Sequence, residues 1–311
     1  MTYYRRHILG SMVLSLLPFC NAKAEDHCIH DDLGETCVDK TASRVVALDQ
    51  QSIEFLLALG VQPVGVTSPE NYRKFTGNAA PELSYSVQDL GLSSSPNIEL
   101  IMALQPDLIL GNITNVQKNL SLLKEIAPVS AFASYPSGHS DQFNTMLSNL
   151  RTIARLVGRA TEADHFCKML DTTLDTGYRR LASLGLTSKP VVLGNINAGA
   201  RGAEIMLFNQ NALPAQILKR LGFSYACNDE RYREKGFTVS SVETLMEFEN
   251  ADFLYMPFNE KGMERLIQTP IWRNLRFVRE KRLHSIPYRL IHNAPLSTRL
   301  FQADVVSAFQ S

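Results

Sequence analysis

The sequence predicts an α/β protein made of two blocks of alternating strands and helices, separated by a long helical region. Three observations predict this. Short Val/Ile/Leu runs alternate with amphipathic stretches up to about residue 140. Residues 141–185 then carry helical periodicity with no strand signal, and the alternation resumes over 186–311. At about 150 residues per domain, 311 residues suffice for two such lobes.

The chain opens on Met1–Ala24, which has the pattern of a secretory signal peptide. Arg5 and Arg6 form a basic start, Ile8 to Phe19 is apolar, and Ala22-Lys23-Ala24 is a small-x-small cleavage site. The apolar stretch is shorter than the roughly 20 residues a membrane span needs. The large Phe19 before Cys20 argues against a lipoprotein site. Cleavage would remove Arg5, Arg6 and Lys23 and no acidic residue, leaving a net charge of −3. Export to the periplasm is the expectation.

Residues 25–43 form an extension ahead of the first lobe. Cys28 and Cys37 flank a turn at Asp32 to Glu35, so they face each other across a hairpin, and an exported chain can bond them. The alternative is a metal pair with His27 and His30, which so short a segment would strain. The pairing state of Cys167 and Cys227 is open at this stage.

The first lobe, residues 44–140, reads as strand Arg44–Leu48, helix Ser52–Leu59 ended by Gly60, and strand Val61–Thr67. Helix Pro96–Leu104, strand Asp107–Leu110, helix Lys118–Ile126 and strand Val129–Phe132 follow. Gly158 and the Thr161–Asp164 start signal split the connecting region 141–185 into two helices. The second, 161–184, is about 36 Å long at 1.5 Å per residue. In the second lobe, residues 186–311, the strands are Pro190–Asn195, Asp252–Met256 and His284–Ile286. The helices are Leu213–Leu221, Val242–Phe248, Met263–Gln268 and Leu296–Phe309. Ligands of such sheets bind beyond the carboxyl ends of the strands.

Composition excludes several classes. Lys+Arg and Asp+Glu balance at 31 each, which gives no basic surface for nucleic acid. Hydrophobic residues at 45% exclude a disordered chain. No Walker A loop, GxGxxG, GxSxG or HExxH motif occurs, and the seven His are scattered. No catalytic residue, resident metal or cofactor is therefore expected.

Several segments together resemble the periplasmic substrate-binding proteins of ferric-siderophore and vitamin B12 ABC importers. They are RVVALDQQSIEFLLALGVQPVGV from Arg44, GLSSSPNIELIMALQPDLIL from Gly91 and TPIWRNLRFVREKRLHSIP from Thr269. NYRKF at 71–75 and LFNQNALPAQILKRLG at 207–222 look most like the ferric-hydroxamate-binding branch. The resemblance implies two α/β lobes with mostly parallel sheets joined by one long rigid helix, with a ligand cleft between them. It also implies a monomer that binds a ferric siderophore and docks on an inner-membrane permease through one surface acid per lobe. The matching positions are Glu99 and Glu243. A corrinoid or haem carrier of the same fold, and a periplasmic α/β enzyme, are the alternatives.

The ligand-contacting positions depart from the hydroxamate branch. Ser93 stands where that branch has an Arg, and Asn115 replaces a pocket Tyr. Lys235 and Phe237 replace a Trp and a Ser, and Leu290 and His292 replace aromatic residues. The loops expected at the cleft carry Arg201, Arg231, Arg233, Lys235 and Arg289, whose planar donors suit anionic oxygen ligands. Tyr72, Tyr232 and Phe237 are candidate flat walls, with Arg73 beside Tyr72. The single Trp, Trp272, counts against a haem- or corrinoid-stacking site.

Overall fold

A computed structural model describes residues 27–135, 141–199, 202–227 and 236–310. The expected signal segment Met1–Ala24 and the residues Arg201, Arg231, Tyr232, Arg233 and Lys235 lie outside the described residues.

The chain begins as an antiparallel hairpin, β1 (Cys28–Asp31) and β2 (Gly34–Cys37), with Cys28 opposite Cys37. These two cysteines are bonded, as the hairpin reading anticipates. The turn closes because the Asp31 carboxylate accepts the Leu33 N–H at 2.8 Å and the Thr36 hydroxyl at 3.0 Å.

The first sheet collects β3 (Val45–Ala47), β4 (Gly65–Val66), β5 (Gln88–Asp89), β8 (Leu108–Asn112) and β9 (Val129–Phe132). A small antiparallel ribbon, β6 (Gly91–Leu92) and β7 (Ser95–Pro96), stands outside it. The order is β5-β4-β3-β8-β9 and every pairing is parallel. Helices α1 (Gln50–Ala58), α2 (Pro69–Thr76), α3 (Ile98–Ala103), α4 (Ile113–Val116) and α5 (Leu120–Ile126) connect the strands. Helices cover both faces of the sheet, so β3 and the Leu108–Leu110 run of β8 are apolar at successive positions. Val45, Ala47, Leu108 and Leu110 join the large core, while Val46 and Ile109 face Ile101 and Leu123 in a smaller one. The strand expected over 61–67 shrinks to Gly65–Val66, because Pro63 has no N–H to give a ladder.

Helices α6 (Gln142–Leu156) and α7 (Ala160–Ser183) lead to the second lobe. Gly158 turns between them at φ +63°, and a Cβ there would lie 2.7 Å from the Thr41 methyl. Helix α7 has 24 residues, about 36 Å of rise.

The second sheet holds β10 (Pro190–Gly199), β11 (Gly202–Phe208), β12 (Ser224–Tyr225), β13 (Phe237–Ser240), β14 (Asp252–Pro257) and β15 (Leu283–Ser285). Its order is β13-β11-β10-β14-β15, with β12 also on β10. The β10–β12, β10–β14 and β14–β15 pairings are parallel, and the β10–β11 and β11–β13 pairings are antiparallel. Around it lie α8 (Leu213–Arg220), α9 (Glu260–Leu266), α10 (Pro270–Asn274), α11 (Arg276–Arg279) and α12 (Pro295–Ala308). The helix expected over Val242–Phe248 is a 3₁₀ helix.

Helix α12 packs on α1, α7 and α8 and so ties the two lobes together. At that junction the buried Glu54 carboxylate of α1 accepts the Ser297 N–H at 2.7 Å and the Ser297 hydroxyl at 2.6 Å. Burial raises the Glu54 carboxyl above its usual range, and these donors oppose that rise. No helix of the described residues is long and apolar enough to cross a membrane.

Candidate functional site: a cleft between the carboxyl edges of two sheets

A parallel strand sends its chain off at its carboxyl end, so the loops that follow gather at one edge of the sheet. The carboxyl end of β14 opens onto a cavity of about 920 Å³. One wall is the end of α2 and the turn after it, residues 74–79. The opposite wall is residues 257–261, just after β14. Residues 287–289, beyond β15, close the back.

Three rings frame this cavity. Tyr288 lies 5.1 Å from Phe75 of the first lobe and 5.1 Å from Phe258 of the second, the latter pair edge-to-face at 87°. The Lys74 ammonium stands 5.4 Å from the Phe75 ring and 5.9 Å from the Phe258 ring. An apolar wall with a cation at its rim suits a large ligand that carries negative oxygen.

A second, smaller cavity of about 150 Å³ lies at the carboxyl ends of β3, β8 and β9. Asp49, Asn112, Asn115 and Ser134 line it, with Leu290 and His292 opposite. Its polar wall is tied internally. Asn112 Nδ2 donates to the Ser134 hydroxyl at 2.6 Å, and that hydroxyl donates to Gln51 at 2.9 Å. Asp49 caps α1 by accepting the Ser52 N–H at 2.9 Å and also accepts the Asn112 N–H. Burial raises its carboxyl above the usual range.

Residues 286–294 run from one cavity to the other. The Tyr135 hydroxyl, just past β9, meets His292 Nδ1, and Asn293 Nδ2 donates to the Ala133 carbonyl at 2.9 Å. Burial holds His292 down at about 4, so the ring is neutral at pH 7. Gly236 of the second lobe lies against the Tyr135 ring.

The structure separates the sequence candidates. Asn115, His292 and Leu290 line the smaller cavity. Arg289 lines the larger one, but its guanidinium is engaged and is no open ligand grip. Nε bonds Asp304 at 2.8 Å, and Nη1 donates to the Phe75 and Thr76 carbonyls at 2.9 and 3.3 Å. Tyr72 is core packing, not a cleft wall: it is buried and its hydroxyl donates to the Pro81 carbonyl at 2.7 Å. Arg73 faces a separate surface pocket, paired with Glu70 at 2.7 Å and stacked 4.7 Å over Tyr85. Ser93 shares a hydrogen bond of 2.9 Å with Thr67. Phe237 packs edge-on to Phe208 on β13. Trp272 is buried against Phe253 and Tyr255, away from both cavities.

Phe75, Phe258 and Tyr288 were missed by the sequence reading. The rule that carboxyl-end loops bind ligand would have found two of them, because Phe258 follows β14 directly and Tyr288 lies three residues past β15. Glu99 and Glu243 are exposed in the first turns of α3 and of the 3₁₀ helix. A hydrogen bond from the Ser241 side chain lowers the Glu243 carboxyl. Among the described residues, no group of three His, Cys, Asp or Glu is placed to hold a metal ion.

Comparison with known proteins agrees with this architecture. The chain is 28% identical to the iron(3+)-hydroxamate-binding protein FhuD of Escherichia coli, over 96% of this chain and 93% of that protein. It is 25% identical to the Fe(3+)-citrate-binding protein YfmC of Bacillus subtilis, over 84% and 78%. The structure of FhuD from Vibrio cholerae bound to Fe3+-Desferal superposes with a TM-score of 0.75 at 28% identity, covering 86% of this chain and 97% of that one. Staphylococcus aureus SirA complexed with staphyloferrin B shares the fold, with a TM-score of 0.67 at 18% identity, covering 91% and 98%. The periplasmic binding protein family matches residues 45–290, and with two α/β lobes closing on one cleft the chain belongs to that family.

Proposed function

We propose that this chain is the substrate-binding component of an ABC importer, which captures an iron(III)-siderophore complex in the periplasm and delivers it to the inner-membrane permease. The carrying observation is the 920 Å³ cavity shared by both lobes and framed by Phe75, Tyr288 and Phe258. Its size suits a whole ferric siderophore, whose iron is held by the siderophore itself. The chain performs no reaction and acts as a monomer.

The cations at the cavity, Lys74 and Lys261, and the loop residues Arg201, Arg231, Arg233 and Lys235, support an anionic complex over a neutral one. Ser93, Asn115, Phe237 and His292 stand in for the residues that contact ligand in the hydroxamate branch. Glu99 and Glu243 are the docking acids for the permease.

Fluorescence titration of the chain without residues 1–24 tests this reading. A ferric tris-hydroxamate, a ferric citrate-hydroxamate and a ferric catecholate are each compared with the iron-free form. Saturable quenching by one ferric complex is expected, with an anionic complex binding most tightly. Tightest binding of the neutral hydroxamate would refute the anionic preference. No quenching by any of the three would refute the carrier.

A further inference from the structure

One short helical segment in each lobe carries a similar pattern of acidic and apolar residues. Residues 97–104 read NIELIMAL and residues 241–248 read SVETLMEF. Position by position they share a polar residue ahead of the helix, a β-branched aliphatic, a Glu, a buried Ile101 or Leu245, a Met, and a large apolar residue. Each segment leads into a central strand, β8 or β14. Each begins at the carboxyl edge of its sheet, because β13, two antiparallel steps from β10, runs parallel to it.

Both methionines face water. Met102 is 59% exposed and Met246 is 55% exposed, each three residues beyond an exposed Glu. Single exposed apolar residues need no explanation. Here the exposure recurs at one position of the shared pattern, and Leu92 and Val239 on the preceding strands are exposed as well. No basic residue occurs between residues 90 and 105 or between 237 and 250. Each lobe thus offers an exposed surface that is both acidic and apolar.

We infer that Met102 and Met246 are paired apolar anchors that seat the two lobes on the permease, beside Glu99 and Glu243. This rests on the importer reading above. The fitting partner has two equivalent seats, each a basic rim around an apolar recess. The acids steer the encounter, and the flexible thioethers add contact area that does not demand a rigid fit.

The test uses the chain without residues 1–24, loaded with the ferric complex that titrates it, and the importer's permease and ATPase in proteoliposomes. ATP hydrolysis is followed against carrier concentration. M102Q/M246Q is expected to raise the half-maximal concentration at least about tenfold, and each single change about threefold, from the apolar area withdrawn. Ligand affinity stays unchanged. L184Q, at a comparably exposed residue on the far end of α7, serves as control and leaves the curve in place. Wild-type activation with no shift in M102Q/M246Q overturns the anchors and leaves the importer intact. An equal shift in L184Q also overturns them. A loaded wild-type chain that never activates the ATPase overturns the importer reading itself.

Discussion

Tyr135 and His292 meet between the lobes at the inner end of the cleft, the phenol on Nδ1 and the rings 5.4 Å apart. Each follows a different sheet, Tyr135 from β9 and His292 from beyond β15. The contact is therefore one of the points at which the lobes register against each other.

That contact predicts an acid sensitivity. His292 is depressed from 6.5 to about 4 by burial, so the folded state keeps it neutral while the unfolded chain protonates first. Stability from this group is intact above pH 6.5 and is lost as pH falls towards 4. The full loss is about 3 kcal/mol at 1.36 kcal/mol per unit. Denaturant unfolding between pH 7 and 4 should show this decline, and H292L should flatten it. Equal slopes in the two proteins would refute the assignment.

Gly236 supplies the space Tyr135 needs. A Cβ there would fall 2.7 Å from the ring, and φ of +69° disfavours any other residue. G236A should destabilise by about 1–2 kcal/mol and weaken ligand binding. Adding Y135A should recover the steric part only. A strictly additive double variant in thermal unfolding would mean that the two residues do not interact.

The aromatic frame makes a separate prediction for affinity. Tyr288→Ala or Phe258→Ala should weaken binding of the ferric complex about tenfold, as expected for losing an aromatic contact of 1–2 kcal/mol. Phe258 is half exposed, so F258A should leave the melting temperature nearly unchanged. Undiminished affinity in both variants would place the ligand elsewhere.

Charge reversal separates capture from delivery. E99R/E243R should bind the ferric complex normally and lose at least about tenfold in uptake rate, since like charge at a docking rim acts on association. Normal uptake by cells carrying only this variant would exclude the two acids as docking residues.

Much of the fold was legible because its strands announce themselves. RVVAL and DLIL are buried on both faces, and Gly60 and Gly158 mark helix ends. The hairpin partner β11 was not legible, since its residues 203–206 mix polar and apolar in a pattern set by pairing with β10. At the site, position along the chain showed which loops matter but not which way their side chains turn. Arg289 looks like a ligand grip until Asp304, about two and a half turns into α12, is seen to claim it.

The disulfide-closed hairpin carries a consequence for the order of assembly. Asp32 accepts from and donates to the backbone of residues 131–133, and the Thr36 hydroxyl donates to the Val129 carbonyl, so β1 and β2 cover the outer edge of β9. These contacts span about a hundred residues of chain. The hairpin is local, with nine residues of separation between its cysteines, and under the export proposed above it closes as soon as it emerges into an oxidising space. β9 arrives much later. The first structure the chain makes is thus a finished cover waiting for the strand it protects. A sheet edge that would otherwise template pairing between neighbouring chains has a resident occupant from the moment it forms.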